Sequence, residues 1–118
     1  MNKNDFVIVL TTIETKQQAE VLAQKILEEK FAACVQIQKI QSRYWWNGKI
    51  RCSDEYLLSI KTCAMFAELS DFIKQNHSYE TPEIVQIPIT DGSAEYLSWM
   101  RSAVKCRKAN ENNDHLLY

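Results

Sequence analysis

His77-Ser78-Tyr79-Glu80-Thr81-Pro82-Glu83-Ile84-Val85-Gln86-Ile87-Pro88-Ile89 is the stretch on which the fold turns. A helical pattern ends at its left edge and an apolar strand starts inside it, between the chain's two prolines. Pro82 drives Thr81 out of the helical region and fixes the entry to the strand. Pro88 has no N–H to donate, so the strand that contains it cannot lie in the middle of a sheet. The run from Ile84 to Ile89 is therefore predicted to be an edge strand. Just ahead of it, an imidazole, a phenol and two carboxylates fall within seven residues: His77, Tyr79, Glu80 and Glu83. No other short window offers as many kinds of chemistry.

Working outward, Phe6-Val7-Ile8-Val9-Leu10 is a continuous apolar run, the pattern of a strand covered on both faces, and it is predicted to be central. Thr15-Lys16-Gln17-Gln18 fits a capping box, followed by Ala19, Leu22, Ala23, Ile26 and Leu27 at helical spacing. From Ala33 to Trp46 the apolar parity changes. Val35 and Ile37 share one face, Ile40, Tyr44 and Trp46 the other, which predicts a bulge or bend near Lys39. At about 3.3 Å per residue this segment reaches roughly 46 Å, too long for a domain whose radius of gyration should be about 13 to 14 Å. Part of it must bend or project. Asn47-Gly48 signals a two-residue hairpin that sets Trp45 against Ile50.

Glu55 to Thr62 alternates as a further strand. Ala64 to Asn76 carries Phe66, Leu69, Phe72 and Ile73 at helical spacing, and Ala94 to Val104 forms a third helix after the Asp91-Gly92 turn. The order is βαβ, βαβ, then a helix. This predicts an α+β protein, a ferredoxin-like split βαβ sandwich with an antiparallel sheet and an extra C-terminal helix. Residues 1–104 are read as one domain and 105–118 as a polar tail, mobile or docked on a neighbour.

The 118 residues suffice for a single core that buries roughly two-thirds of the unfolded surface. Fourteen basic and fifteen acidic residues leave a net charge of −1, without the basic footprint of a nucleic-acid or anionic-membrane binder. The short apolar run near the N-terminus is no signal-peptide core, and no run is long enough for a membrane span, so a cytoplasmic location is expected. Cys34, Cys52, Cys63 and Cys106 form no C-x-x-C pair and are expected to be reduced.

With only Gly48 and Gly92, no phosphate-cradling loop or dinucleotide fingerprint exists. Neither a Gly-x-Ser-x-Gly elbow nor a His-Glu-x-x-His motif occurs, and the chain is read as a binding protein, not an enzyme. His77, Glu80 and Glu83 offer nitrogen and oxygen ligands to a divalent ion. The plainer reading is that His77 caps the second helix and Glu83 solvates an edge strand. A metal site needs three or four ligands, more than one short loop supplies, so a second chain or a distant strand would have to contribute. Tyr44, Trp45 and Trp46 with Lys49 and Arg51 resemble a base-stacking platform. Adjacent tryptophans face opposite sides of a strand, however, and self-association through exposed edges covers both better.

Taken in order, Val9-Leu10-Thr11-Thr12, Ala32-Ala33-Cys34-Val35, Tyr44-Trp45-Trp46-Asn47-Gly48-Lys49-Ile50, Ile60-Lys61-Thr62, His77 to Ile84, Pro88-Ile89 and Tyr96-Leu97-Ser98-Trp99 resemble the CutA-type divalent-cation tolerance proteins, from Val7 to about Arg101. The resemblance implies a homotrimer assembled through edge strands and a role in tolerance of divalent cations, chiefly copper. Some members bind copper through a cysteine ending the first strand and a histidine pair before the Tyr-Glu motif. Here Thr11 stands in the cysteine's place and Asn76-His77 in the pair's, so His77 alone carries over as a Cu²⁺ ligand. An alternative, by likeness to P-II signalling proteins, has inter-subunit clefts lined by Tyr44, Trp46, Lys49, Lys61, Tyr79, Glu80 and Glu83 binding a small anionic ligand.

Overall fold

The structure, a computed structural model, describes residues 5–106. In chain order it runs β1 (Phe6–Ile13), α1 (Lys16–Glu28), β2 (Cys34–Trp46), β3 (Lys49–Cys63), α2 (Phe66–Gln75), β4 (Val85–Pro88) and α3 (Ala94–Ala103). The strands form one antiparallel sheet in the order β2-β3-β1-β4. The apolar first strand is central, and the strand ending in Pro88 is an edge. Pro88 lies opposite Val7 on the one side of β4 that is paired.

Alternation along the strands sorts the core into two clusters. Val7, Val9 and Ile13 of β1 and Leu58 and Ile60 of β3 point to one face. There they pack with Ala19, Leu22, Ala23 and Ile26 of α1 and Leu69 and Ile73 of α2. Phe6 and Cys63, paired across the ladder, point to the opposite face and pack with Met65, Leu97, Met100 and Val104. Two helices thus cover one face, while α3 covers one end of the other and leaves the rest of that face open.

Local chemistry sets the element ends. The Thr15 hydroxyl accepts from the Gln18 N–H and the Gln18 side chain accepts from the Thr15 N–H, both at 3.1 Å, completing the capping box. Loss of the Thr15 hydroxyl should cost about 1 kcal/mol. At α3 the Ser93 hydroxyl accepts from the Tyr96 N–H. α2 has no side-chain cap at its N-terminus; buried Met65 anchors its start in the second cluster instead. Asn47 and Gly48 both adopt positive φ, 53° and 74°, as a type I′ hairpin requires.

No bulge occurs near Lys39. The β2–β3 register is unbroken from Cys34↔Lys61 to Trp46↔Lys49, and β3 runs straight through Cys52-Ser53-Asp54. The parity change has another cause. Beyond about residue 40 the hairpin outruns the helices, so the face that needs apolar side chains changes while the strand stays straight. The molecule measures 52 × 27 × 27 Å, with a radius of gyration of 15.7 Å. Trp45, Trp46 and Ile50 near the hairpin tip are 72%, 56% and 64% exposed in the single protomer.

Two further expectations change. Cys63 and Cys106 are joined as a disulfide, with Cα atoms 5.6 Å apart, while Cys34 and Cys52 are free. Lys105 and Cys106, assigned above to a tail, are held by their own chain: the Lys105 N–H donates to the Lys30 carbonyl at 2.8 Å. The remainder of that tail lies outside the described residues.

Candidate cleft between the hairpin and the loop after α2

The open sheet face, the distal half of the β2–β3 hairpin and the loop from His77 to Glu83 enclose a cleft of about 1040 Å³. Ser42, Tyr44 and Trp46 reach it from β2 and Ser53 and Glu55 from β3, alternate residues of paired strands that share one face. Thr12 and Glu14 close the β1 end, and Ser78, Tyr79, Glu80, Thr81 and Glu83 form the loop wall. The Tyr44 hydroxyl and the Ser53 hydroxyl lie 2.7 Å apart across the hairpin.

The loop is fastened by His77. Its Nε2 lies 2.7 Å from the Thr12 carbonyl oxygen, and its Nδ1 accepts the Tyr79 N–H at 3.0 Å. A carbonyl only accepts, so Nε2 carries the proton and Nδ1 the lone pair: the ring is the neutral Nε2–H tautomer. Burial pushes the imidazole below its usual range, against the smaller upward pulls of the Thr12 carbonyl and the Glu55 charge. The cap of α2 that the sequence assigned to His77 is supplied by Asn76, whose side-chain amide donates to the Phe72 carbonyl at 2.9 Å.

Tyr79 carries the network onward. Its hydroxyl donates to the Glu55 carboxylate at 2.8 Å, and Glu55 is only 8% exposed. Burial, the hydrogen bond to Glu55 and that residue's charge all raise the phenol's pKa, so it remains a donor throughout the physiological range. Glu55 is the main residue that sequence reasoning missed. It sits in an alternating strand among exposed-looking neighbours, and only its pairing opposite Ile40, beneath the loop, shows why a carboxylate is buried there.

Of the residues expected in a cleft, Tyr44, Trp46, Tyr79, Glu80 and Glu83 line this one, and Lys49 and Lys61 do not. Lys61 lies over the Tyr96 ring, 5.5 Å from its centroid, and Lys49 sits at the hairpin tip opposite Trp46. The lining carries Glu14, Asp54, Glu55, Glu80 and Glu83 against Arg43. Five carboxylates facing one guanidinium repel anions, so the anionic-ligand reading is not favoured.

The donor set does not make a preformed copper centre within one protomer. Both ring nitrogens of His77 are engaged, and no three His, Cys, Asp or Glu side chains are grouped to hold a metal ion among the described residues. Thr11 supplies a hard hydroxyl where a soft thiolate would suit copper. It also points with Val9 and Ile13 into the helix-covered face, fully buried and with its hydroxyl oxygen unpartnered.

The family model described as CutA1 divalent ion tolerance protein matches residues 7–103. The chain is 42% identical over 98 residues to the "Divalent-cation tolerance protein CutA" of Archaeoglobus fulgidus, covering 82% of this chain and 96% of that one. It is 39% identical over 101 residues to the rice "Protein CutA 1, chloroplastic", covering 84% of this chain but spanning only 57% of the rice protein. The solved structure of CutA from Synechococcus elongatus PCC7942 superposes with a TM-score of 0.84 at 34% identity, covering 89% of this chain and 95% of that one. Sheet order, hairpin and the loop fastened by His77 all fall within the matched segment, and the chain belongs to the CutA1 divalent ion tolerance family.

Proposed function

We propose that this chain is a cytoplasmic, non-enzymatic, single-domain protein of divalent-cation tolerance that works as a homotrimer, and that divalent ions are its cargo and not a resident cofactor. The acid-rich cleft carries the reading: five carboxylates line it, with Glu55 held by the Tyr79 hydroxyl. Such a lining raises the local concentration of cations. Cu²⁺ contact at His77 is weak in this account, because the ion must displace the Tyr79 N–H from Nδ1 or break the Nε2 contact to Thr12.

Support for self-association comes from the exposed Trp45, Trp46 and Ile50 on the projecting hairpin and from Val85 and Ile87 on the edge strand. Closed assembly buries such surfaces and caps the free edges. Among the described residues no helix is long and apolar enough to cross a membrane, and the net charge of −1 gives no attraction for nucleic acid. The test is complementation. A host lacking its own member of this family should regain growth in raised Cu²⁺ or Zn²⁺ when it expresses this chain; growth no better than with an empty vector would contradict the proposal.

A further inference from the structure

We propose that Cys63 and Cys106 are a reversible redox pair whose disulfide clasps the segment following α3 to the end of β3, and whose reduction releases that segment. The 5.6 Å between their Cα atoms lies within the range a disulfide spans without backbone movement. The two sulfurs have unequal surroundings. Cys63 is 3% exposed, the last residue of β3, packed among Phe6, Met65, Leu97 and Met100. Cys106 lies at the margin of that cluster, partly open to solvent.

The segment's other holds are all non-covalent. After Ala103 the chain leaves the helix in an extended conformation at Val104. Val104 is buried, the Lys105 N–H donates to the Lys30 carbonyl, and the Lys105 ammonium lies 5.6 Å from the centre of the Phe31 ring. α3 itself buries Leu97 and Met100, and in its last turn Arg101 pairs with Asp5 at 3.3 Å and lies over the Phe6 ring. The disulfide is therefore the one covalent tie between the sheet and the end of a ten-residue helix. It closes a loop of 43 residues in sequence separation that contains α2, β4 and α3.

The exchange balances with a glutathione-type thiol and disulfide. In reduction, an external thiolate attacks the accessible Cys106 sulfur, the S–S bond breaks, and Cys63 leaves as a thiolate that takes up a proton. A second external thiolate then attacks the external sulfur of the mixed disulfide and frees Cys106. The protein gains two electrons and two protons while two glutathione molecules become one glutathione disulfide. Oxidation runs the same steps backward. Of the two sulfurs only that of Cys106 lies in a residue partly open to solvent, so attack is directed there.

The experiment equilibrates the whole chain, without denaturant, in buffers of oxidised and reduced dithiothreitol, a dithiol that closes on itself and so leaves no mixed disulfide on Cys34 or Cys52. Free thiols are then alkylated under denaturing quench and the intact mass measured. The proposal expects alkylation to pass from two sites, Cys34 and Cys52, to four in one step. In the same step Tm should fall by on the order of 10 °C, from the loop-closure effect, and tryptic cleavage after Lys105 should accelerate. Cys106→Ser should hold the reduced behaviour in every buffer. Four alkylations in the oxidised buffer would overturn the pair, and two in the most reducing buffer would make it a permanent staple. Opening that leaves Tm and cleavage after Lys105 unchanged would overturn the clasp.

Discussion

Tyr79→Phe deletes one oxygen and isolates a buried carboxylate. The Tyr79 hydroxyl is the hydrogen-bond donor given to Glu55, at 2.8 Å, and Glu55 is almost fully enclosed. Hydrogen bonds to charged groups contribute about 1.5 to 3 kcal/mol. Because Tyr79 is itself only partly buried, water reaches the gap and the lower part of that range, about 1.5 to 2 kcal/mol, is expected. With a urea m-value of about 1.5 to 2 kcal/mol per M, the midpoint should move down by roughly 1 M at a fixed protomer concentration. Glu55→Gln separates the hydrogen bond from the charge, since the amide oxygen still accepts from the phenol. The double variant should lose less than the sum of the two single ones, because both act on one contact. A Tyr79→Phe midpoint within 0.2 M of the parent, or strict additivity, would refute the claim that this pair fastens the loop to the hairpin.

Thr11→Val removes the buried hydroxyl oxygen that has no partner while keeping the shape of the side chain, and should stabilise the fold by about 1 kcal/mol; a loss of stability on chemical denaturation would mean that the hydroxyl has a partner. His77 has a folded pKa below its ordinary value of 6.5, so the unfolded chain binds the proton more readily. Its contribution is fully present above pH 6.5 and is lost as pH falls through the lowered folded value. The stability gap between parent and His77→Gln should therefore narrow on acidification, and a gap that widens in thermal melts would mean that the fold favours the imidazolium over the neutral ring. Light scattering should give a mass three times the 13.8 kDa protomer, with Trp45→Asp shifting it downward; a parent that stays monomeric would remove the assembly from the account.

Much of this architecture was legible because two backbone constraints agreed. Pro88 at the end of one strand and an unbroken apolar run in another required an edge and a centre, and the sheet order β2-β3-β1-β4 provides both. The capping box at Thr15 and the Asn47-Gly48 turn were equally local, set by side chains within three residues of the backbone they fix. What depended on distance was not legible. The parity change in β2 has the same sequence signature whether the strand bulges or simply outlives its helix cover. The Cys63–Cys106 pair, 43 residues apart, carries no motif. Glu55 looks like any polar residue of an alternating strand until the loop from His77 closes over it. His77 itself drew attention as a ligand, yet it spends both nitrogens on the backbone, one on a carbonyl 65 residues away.

The most direct test of the account is a calorimetric titration of metal-stripped protein with Cu²⁺, run beside His77→Ala. A chain without a preformed copper centre should take up the ion weakly, with an affinity that His77→Ala lowers further. Tight, stoichiometric binding would contradict the account, whether it disappears in His77→Ala or survives there unchanged.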